Sequence, residues 1–144
     1  MLTIKISGDR LIADAVTRIS GKIANARPAL AKIGERVAAY SKDNMESEGT
    51  LLTKQRWQKL TPQTLAAKAR MGYGGKKILE RSGDLKNAFR TLELTNRRVV
   101  IGNSTKYYPY HQLGGNKIPK RQIMGVNSDI EKIVVDELKN HISF

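Results

Sequence analysis

The stretch Arg90–Asn103, RTLELTNRRVVIGN, decides the fold class. Its two halves, Arg90 to Thr95 and Arg98 to Asn103, alternate apolar and polar residues, with Asn96-Arg97 standing between them as the turn. Successive side chains of a strand point to opposite faces, so this alternation predicts a β-hairpin with Leu92, Leu94, Val99 and Ile101 turned inward. The same period of two opens the chain at Leu2, Ile4 and Ile6 and predicts a strand over Met1 to Ser7.

Working outward from the hairpin, the period changes to that of helices. Leu11, Ala15, Ile19 and Ile23 form one apolar stripe, and a second helix starts at Pro28, capped by Asn25 or held after Arg27. It carries Leu30, Ile33, Val37 and Met45 on one face and is expected to end near Gly49. Thr61 can cap a short helix with Pro62 at its first position, and Met71-Gly72-Tyr73-Gly74-Gly75 is a loop. Ser82 is placed to cap another helix over Gly83 to Phe89, and Tyr107 to Gly115 reads as a turn or helical corner. A further strand is expected after this corner. Ser128-Asp129-Ile130-Glu131 then forms a capping-box pattern, followed by Ile130, Val134, Leu138 and Ile142 on one helical face. The expected fold class is α+β, with a small, mainly antiparallel sheet packed against an N-terminal helical arm and a C-terminal amphipathic helix. One domain over residues 1–144 is expected, with a flexible basic loop around 66–77.

Composition narrows the function. The chain has no cysteine, which excludes a disulfide scaffold, thiolate zinc sites and a cysteine nucleophile. It has no apolar run of the length that spans a bilayer, and MLTIKISGDR lacks the basic and apolar regions of a signal peptide, so a soluble, unexported protein is expected. The 26 Lys and Arg against 13 Asp and Glu give a net charge of +13. That excess is localised: residues 1–53 carry 8 basic and 6 acidic side chains, 54–98 carry 12 and 3, 99–125 carry 4 and 0, and 126–144 carry 2 and 4. The middle of the chain therefore faces a polyanion or an acidic protein surface, as clustered Lys and Arg do beside phosphate. The clustered aromatic residues of a single-strand binder are missing from it, as are zinc-finger and RNP-type motifs.

An enzyme fits less well. The two histidines are His111 and His141, and the carboxylates nearest to His111 in sequence are Glu93 and Asp129. No metalloprotease, P-loop, nucleophile-elbow or paired-carboxylate spacing is present. His111 and Gln112 therefore read as groups that hydrogen-bond locally at a structural corner. Gly72-Tyr73-Gly74-Gly75 lacks the preceding strand and the Gly-Lys-Ser/Thr ending of a phosphate loop, so it reads as surface loop. No cofactor, metal or membrane is implied.

Several spaced motifs converge. They are Trp57-x-x-Leu60-Thr61-Pro62-x-Thr64-Leu65 with Lys68; Ile78-Leu79-x-Arg81-Ser82-Gly83-x-Leu85-x-Asn87-Ala88-Phe89; Val100-Ile101-Gly102; Tyr107-x-x-x-His111-Gln112-x-Gly114-Gly115; and Pro119-x-Arg121 before Gly125. In this order they resemble the virion morphogenesis and tail-completion proteins of Mu-like and related tailed phages, over nearly the whole chain. One departure is Gln122-Ile123-Met124-Gly125, where family members often have Pro-Phe-Leu-Gly.

The resemblance implies a non-enzymatic structural protein that completes the tail or joins it to the head, first in the host cytoplasm and then in the virion. It also implies a homo-oligomeric ring, often hexameric, around the DNA channel, with phage tail or neck proteins as partners and non-specific contact with DNA. A head-assembly factor and a sequence-independent DNA-binding module are the alternatives. The candidate interface or DNA-facing residues are Lys68, Arg70, Lys76, Lys77, Arg81, His111, Gln112 and Arg121. For Arg81, structural ion pairing with Asp84 is an equal alternative. Trp57, Leu60, Leu65, Ile78, Leu79 and Leu85 are expected as core or loop anchors, and Gly83, Gly102, Gly114 and Gly115 as backbone-geometry residues.

Overall fold

The computed structural model describes residues 3–7, 25–115 and 117–143. The helix expected from Leu11 to Ile23 lies outside the described residues. In chain order the elements are β1 (Thr3–Ser7), α1 (Arg27–Glu46), α2 (Thr50–Thr53), α3 (Pro62–Arg70), a 3-10 turn at Lys86–Ala88, β2 (Phe89–Leu94), β3 (Arg98–Asn103), α4 (Tyr108–Leu113) and α5 (Ser128–Ile142). The fold is α+β. Its antiparallel sheet has the order β1-β3-β2, with Ile4 opposite Ile101 and Ile6 opposite Val99.

The hairpin has one irregularity that its sequence hides. Thr91 pairs with Ile101, but Glu93 pairs with Val100, so Leu92 is the extra residue of a β-bulge. Strict alternation from Phe89 and Thr91 would turn Glu93 toward the helical layer; the bulge shifts the parity, and Leu94 packs there instead. Leu92 and Leu94 therefore do not share a face, contrary to the expectation from periodicity.

Helix α1 is the middle layer, with the hairpin on one side and α5 on the other. Leu30, Ile33 and Val37 are buried among Val99, Ile101, Ile130 and Val134. Each such side chain contributes about 1.5–3 kcal/mol on burial. Gly34 lets the sheet approach, because a Cβ there would overlap the Thr91 side chain. Pro28 sits in the first turn, and Asn25 Oδ1 accepts the Arg27 amide at 3.1 Å. Arg36 and Glu137 join α1 to α5 at 3.0 Å.

The amphipathic stripe of α5 is as its spacing predicts, with Ile130 and Val134 buried and Leu138 and Ile142 packed against the core. Its cap is Asn127 rather than Ser128: Asn127 Oδ1 accepts the Ile130 amide at 2.9 Å. The Asn127 amide also donates to Tyr40 Oη at 2.8 Å and to the Leu52 carbonyl at 3.0 Å, contacts too long for a serine side chain to make together. Three other expectations change. Gly83 to Phe89 is not a helix but reduces to the 3-10 turn, since Gly83 takes φ +91 and Phe89 already belongs to β2. Among the described residues no strand lies between α4 and α5; residues 119–127 run as an irregular strap with a bend at Met124. Residues 66–70 are helical, so the loop expected around 66–77 begins at Met71.

The strap is held by side-chain amides. Asn44, fully buried on α1, donates to the Gln122 and Ile123 carbonyls (3.3 and 3.0 Å) and accepts the Leu52 amide at 2.9 Å. Trp57 Nε1 donates to the Gln122 carbonyl at 3.1 Å. Ile123 and Met124, in the stretch that departs from the usual residues of the family the sequence resembles, are buried to 0% and 1% exposure and fill the core themselves.

Candidate functional site

A cleft of about 830 Å³ opens between α3 with its following turn, the segment Leu79–Leu85, the start of α4 and the strap. Each wall has a local cause. Thr61 caps α3 by accepting the Thr64 amide at 3.2 Å, and Pro62 starts the helix. Lys68, on the inner side of α3, is only 7% exposed. Its ammonium donates to the carbonyls of Lys76 (3.3 Å) and Lys77 (2.9 Å), folding the Met71–Lys77 turn back on the helix. Burial holds its pKa below the ordinary lysine range.

Opposite this wall, Leu79 lines the cleft with φ +64, a conformation that a leucine seldom adopts and that the surrounding packing must impose. Arg81 lies at the lip. It stacks over the Tyr73 ring, 5.3 Å from its centroid, with Nη2 3.0 Å from Met71 Sδ. No ion pair between Arg81 and Asp84 is present, so of the two readings of Arg81, structural ion pairing with Asp84 is not realised.

The strap supplies the third wall. Gln112, 8% exposed on α4, clamps it: Oε1 accepts the Ile123 and Met124 amides (2.8 and 3.0 Å), and Nε2 donates to the Met124 carbonyl at 2.6 Å. Gly114, at φ +75, ends α4 where the strap passes closest, since a Cβ there would lie 2.9 Å from the Lys120 amide nitrogen. The Arg121 amide donates to the His111 carbonyl at 2.7 Å, which places both side chains in the cleft. Arg121 is 5% exposed, and its Nε and Nη2 donate to one acceptor, the Gln58 carbonyl, at 3.2 and 2.9 Å. Burial lowers its pKa. His111 Nδ1 is buried without a partner among the described residues, and burial, followed by the nearby Arg121 charge, lowers the imidazole pKa.

The structure thus sorts the candidate residues. Lys68, Arg81, His111 and Arg121 meet at the cleft; Arg70, Lys76 and Lys77 are exposed outside it; and Gln112 is a buried clamp behind it. Lys68 and Gln112 spend donors on backbone carbonyls and Arg121 spends those of Nε and Nη2, so all three hold the walls in place. Lys77 also donates to the Glu46 carbonyl at 2.7 Å. Leu65, expected as an anchor, is 54% exposed. The periodicity of the sequence could not reveal Tyr107 and Ile118, which are 43% and 36% exposed at the rim of the cleft, or the Gln58 carbonyl.

Glu80 lies 3.5 Å from Lys86 Nζ, and no hydrogen bond connects His111 to a carboxylate among the described residues. No group of three or more His, Asp or Glu among them could hold a metal ion, and no helix among them is long and apolar enough to cross a membrane. No curated protein and no solved structure matches the chain. The model of the phage virion morphogenesis family matches residues 8–143, nearly the full length, with a structural role in building the phage particle. By this match over most of its length, the chain belongs to the phage virion morphogenesis family.

Proposed function

We propose that the protein completes the phage tail or joins it to the head, as one subunit of a ring around the channel that DNA traverses. The observation that carries this reading is the separation of charge within a family member. The exposed cations Arg70 and Lys76 project from the α3 turn with no carboxylate within ion-pair distance among the described residues, whereas α5 carries four acids, of which Asp129, Asp136 and Glu137 are paired with Lys54, Lys132 and Arg36 and Glu131 stands exposed without a cation at ion-pair distance among the described residues. Unpaired surface cations beside DNA bind by counterion release and carry no sequence preference, which suits a channel wall. Closed rings of one protein are built from heterologous contacts, in which a patch meets a different patch on the next copy, and basic and acidic faces on one subunit are such a pair. The protein then acts in the host cytoplasm during assembly and remains in the particle beside tail or neck proteins.

Deleting the gene from the phage is the test. Filled heads and complete tail tubes are expected to accumulate unjoined, with plaques restored by the wild-type gene and not by R70E/K76E. Normal particle yield in the deletion would refute the reading.

A further inference from the structure

Arg121 is a buried cation without an anion. Of its five N–H donors, those on Nε and Nη2 converge on the single Gln58 carbonyl, and no carboxylate lies within ion-pair distance of it among the described residues. A guanidinium removed from water to 5% exposure is expensive unless a charge or several acceptors compensate it. His111 Nδ1 adds to the same wall a buried polar atom with no partner among the described residues. Both face a cleft with apolar walls at Leu60, Leu79, Met71, Tyr107 and Ile118, lined also by the cations Lys59, Lys68, Arg81 and Lys117 against the acids Glu80 and Asp84, a balance that suits an acidic segment. Met71 (49%), Tyr107 and Ile118 stay exposed at its rim, as apolar side chains do where a partner later covers them.

We propose that this cleft binds an extended acidic segment of a neighbouring virion protein, with one Asp or Glu carboxylate against Arg121 and a flanking apolar side chain between Leu79 and Ile118. A carboxylate there would accept the guanidinium donors that the Gln58 carbonyl leaves over, and a buried, water-excluded pair of this kind is short and directional. Nucleic acid fits less well, because the apolar walls at Leu60, Leu79, Met71 and Ile118 offer a sugar-phosphate chain nothing. Binding of an acidic segment deepens the assembly reading and rests on it, but the two can fail separately: a cleft that binds no such segment in a protein still needed for particle assembly removes the cleft alone.

The test selects a random dodecapeptide library against the purified full chain and measures the enriched peptides by fluorescence polarisation. The expected result is a recurring Asp or Glu beside Leu, Ile or Phe. Changing that acid to its amide should weaken binding at least about tenfold, the loss expected when a buried charge pair loses one partner. R121Q, which keeps a donor for the Gln58 carbonyl, and I118S, at the exposed rim, should each lose at least about fivefold with an unchanged circular dichroism spectrum. If R121Q does not fold, I118S and the acid-to-amide change in the peptide decide. No enriched motif, binding indifferent to both changes, or displacement of the peptide by a short DNA duplex would overturn the proposal.

Discussion

Replacing Gln112 with alanine removes the clamp between α4 and the strap, and the structure sets the scale of the effect. Three backbone groups lose their partners at once: the amides of Ile123 and Met124 and the carbonyl of Met124. All three belong to residues that are 0% and 1% exposed. Leaving a buried donor or acceptor unmade costs about 1–3 kcal/mol, and water reaching the space vacated by the side chain recovers part of it. The expected loss is about 3–4 kcal/mol, or roughly 10 °C in Tm for a chain of this size. Urea titration followed by circular dichroism measures the total. The one tryptophan reports the place: Trp57 Nε1 donates to the Gln122 carbonyl on the same strap, so its emission should shift to the red under native conditions. Y110S, at a residue 61% exposed on the same helix, is the control and should change stability by less than about 0.5 kcal/mol. A loss below about 1 kcal/mol in Q112A, with unchanged tryptophan emission, would refute the clamp.

Two further outcomes follow from the same walls. K68M keeps the buried stem of Lys68 but leaves the Lys76 and Lys77 carbonyls without their donor, so hydrogen exchange across residues 71–77 should quicken while α5 stays protected. His111 has a folded pKa below its unfolded value, so between those two values the unfolded chain binds more protons and stability rises with pH. Stability should therefore fall as pH drops through roughly 6.5, with a slope no steeper than about 1.4 kcal/mol per unit, and level off below the folded pKa. H111Q should remove that component, and an identical pH profile in the variant would count against a buried neutral imidazole.

Much of the fold is legible in the sequence because periodicity is a local property. The i+4 stripe of α5 survives because it buries one face against α1, and the hairpin around Asn96 forms as its spacing predicts, although the bulge at Leu92 breaks the alternation of β2 and β3 is buried from Val99 to Asn103. What escapes is whatever depends on one residue's difference or on distant partners. The bulge at Leu92 changes the parity of a strand without changing its composition. Asn127 and Ser128 are both good caps, and only the reach from Asn127 to Tyr40 and Leu52 decides between them. The cleft was the least legible part: its walls come from residues 58 to 121, and a lysine or arginine in sequence reads as surface charge. Lys68 and Arg121 are buried because carbonyls 8 and 63 residues away turn toward them. Arg70 and Lys76 have no such carbonyls and stay exposed, as their charge alone suggests.

Electron cryomicroscopy of the purified particle tests the central claim most directly. The account predicts a ring of this protein at the head-proximal end of the tail, with Arg70 and Lys76 toward the lumen and the cleft beneath Arg121 filled by a segment of an adjoining protein. Finished, infectious particles that contain no copy of the chain would contradict it.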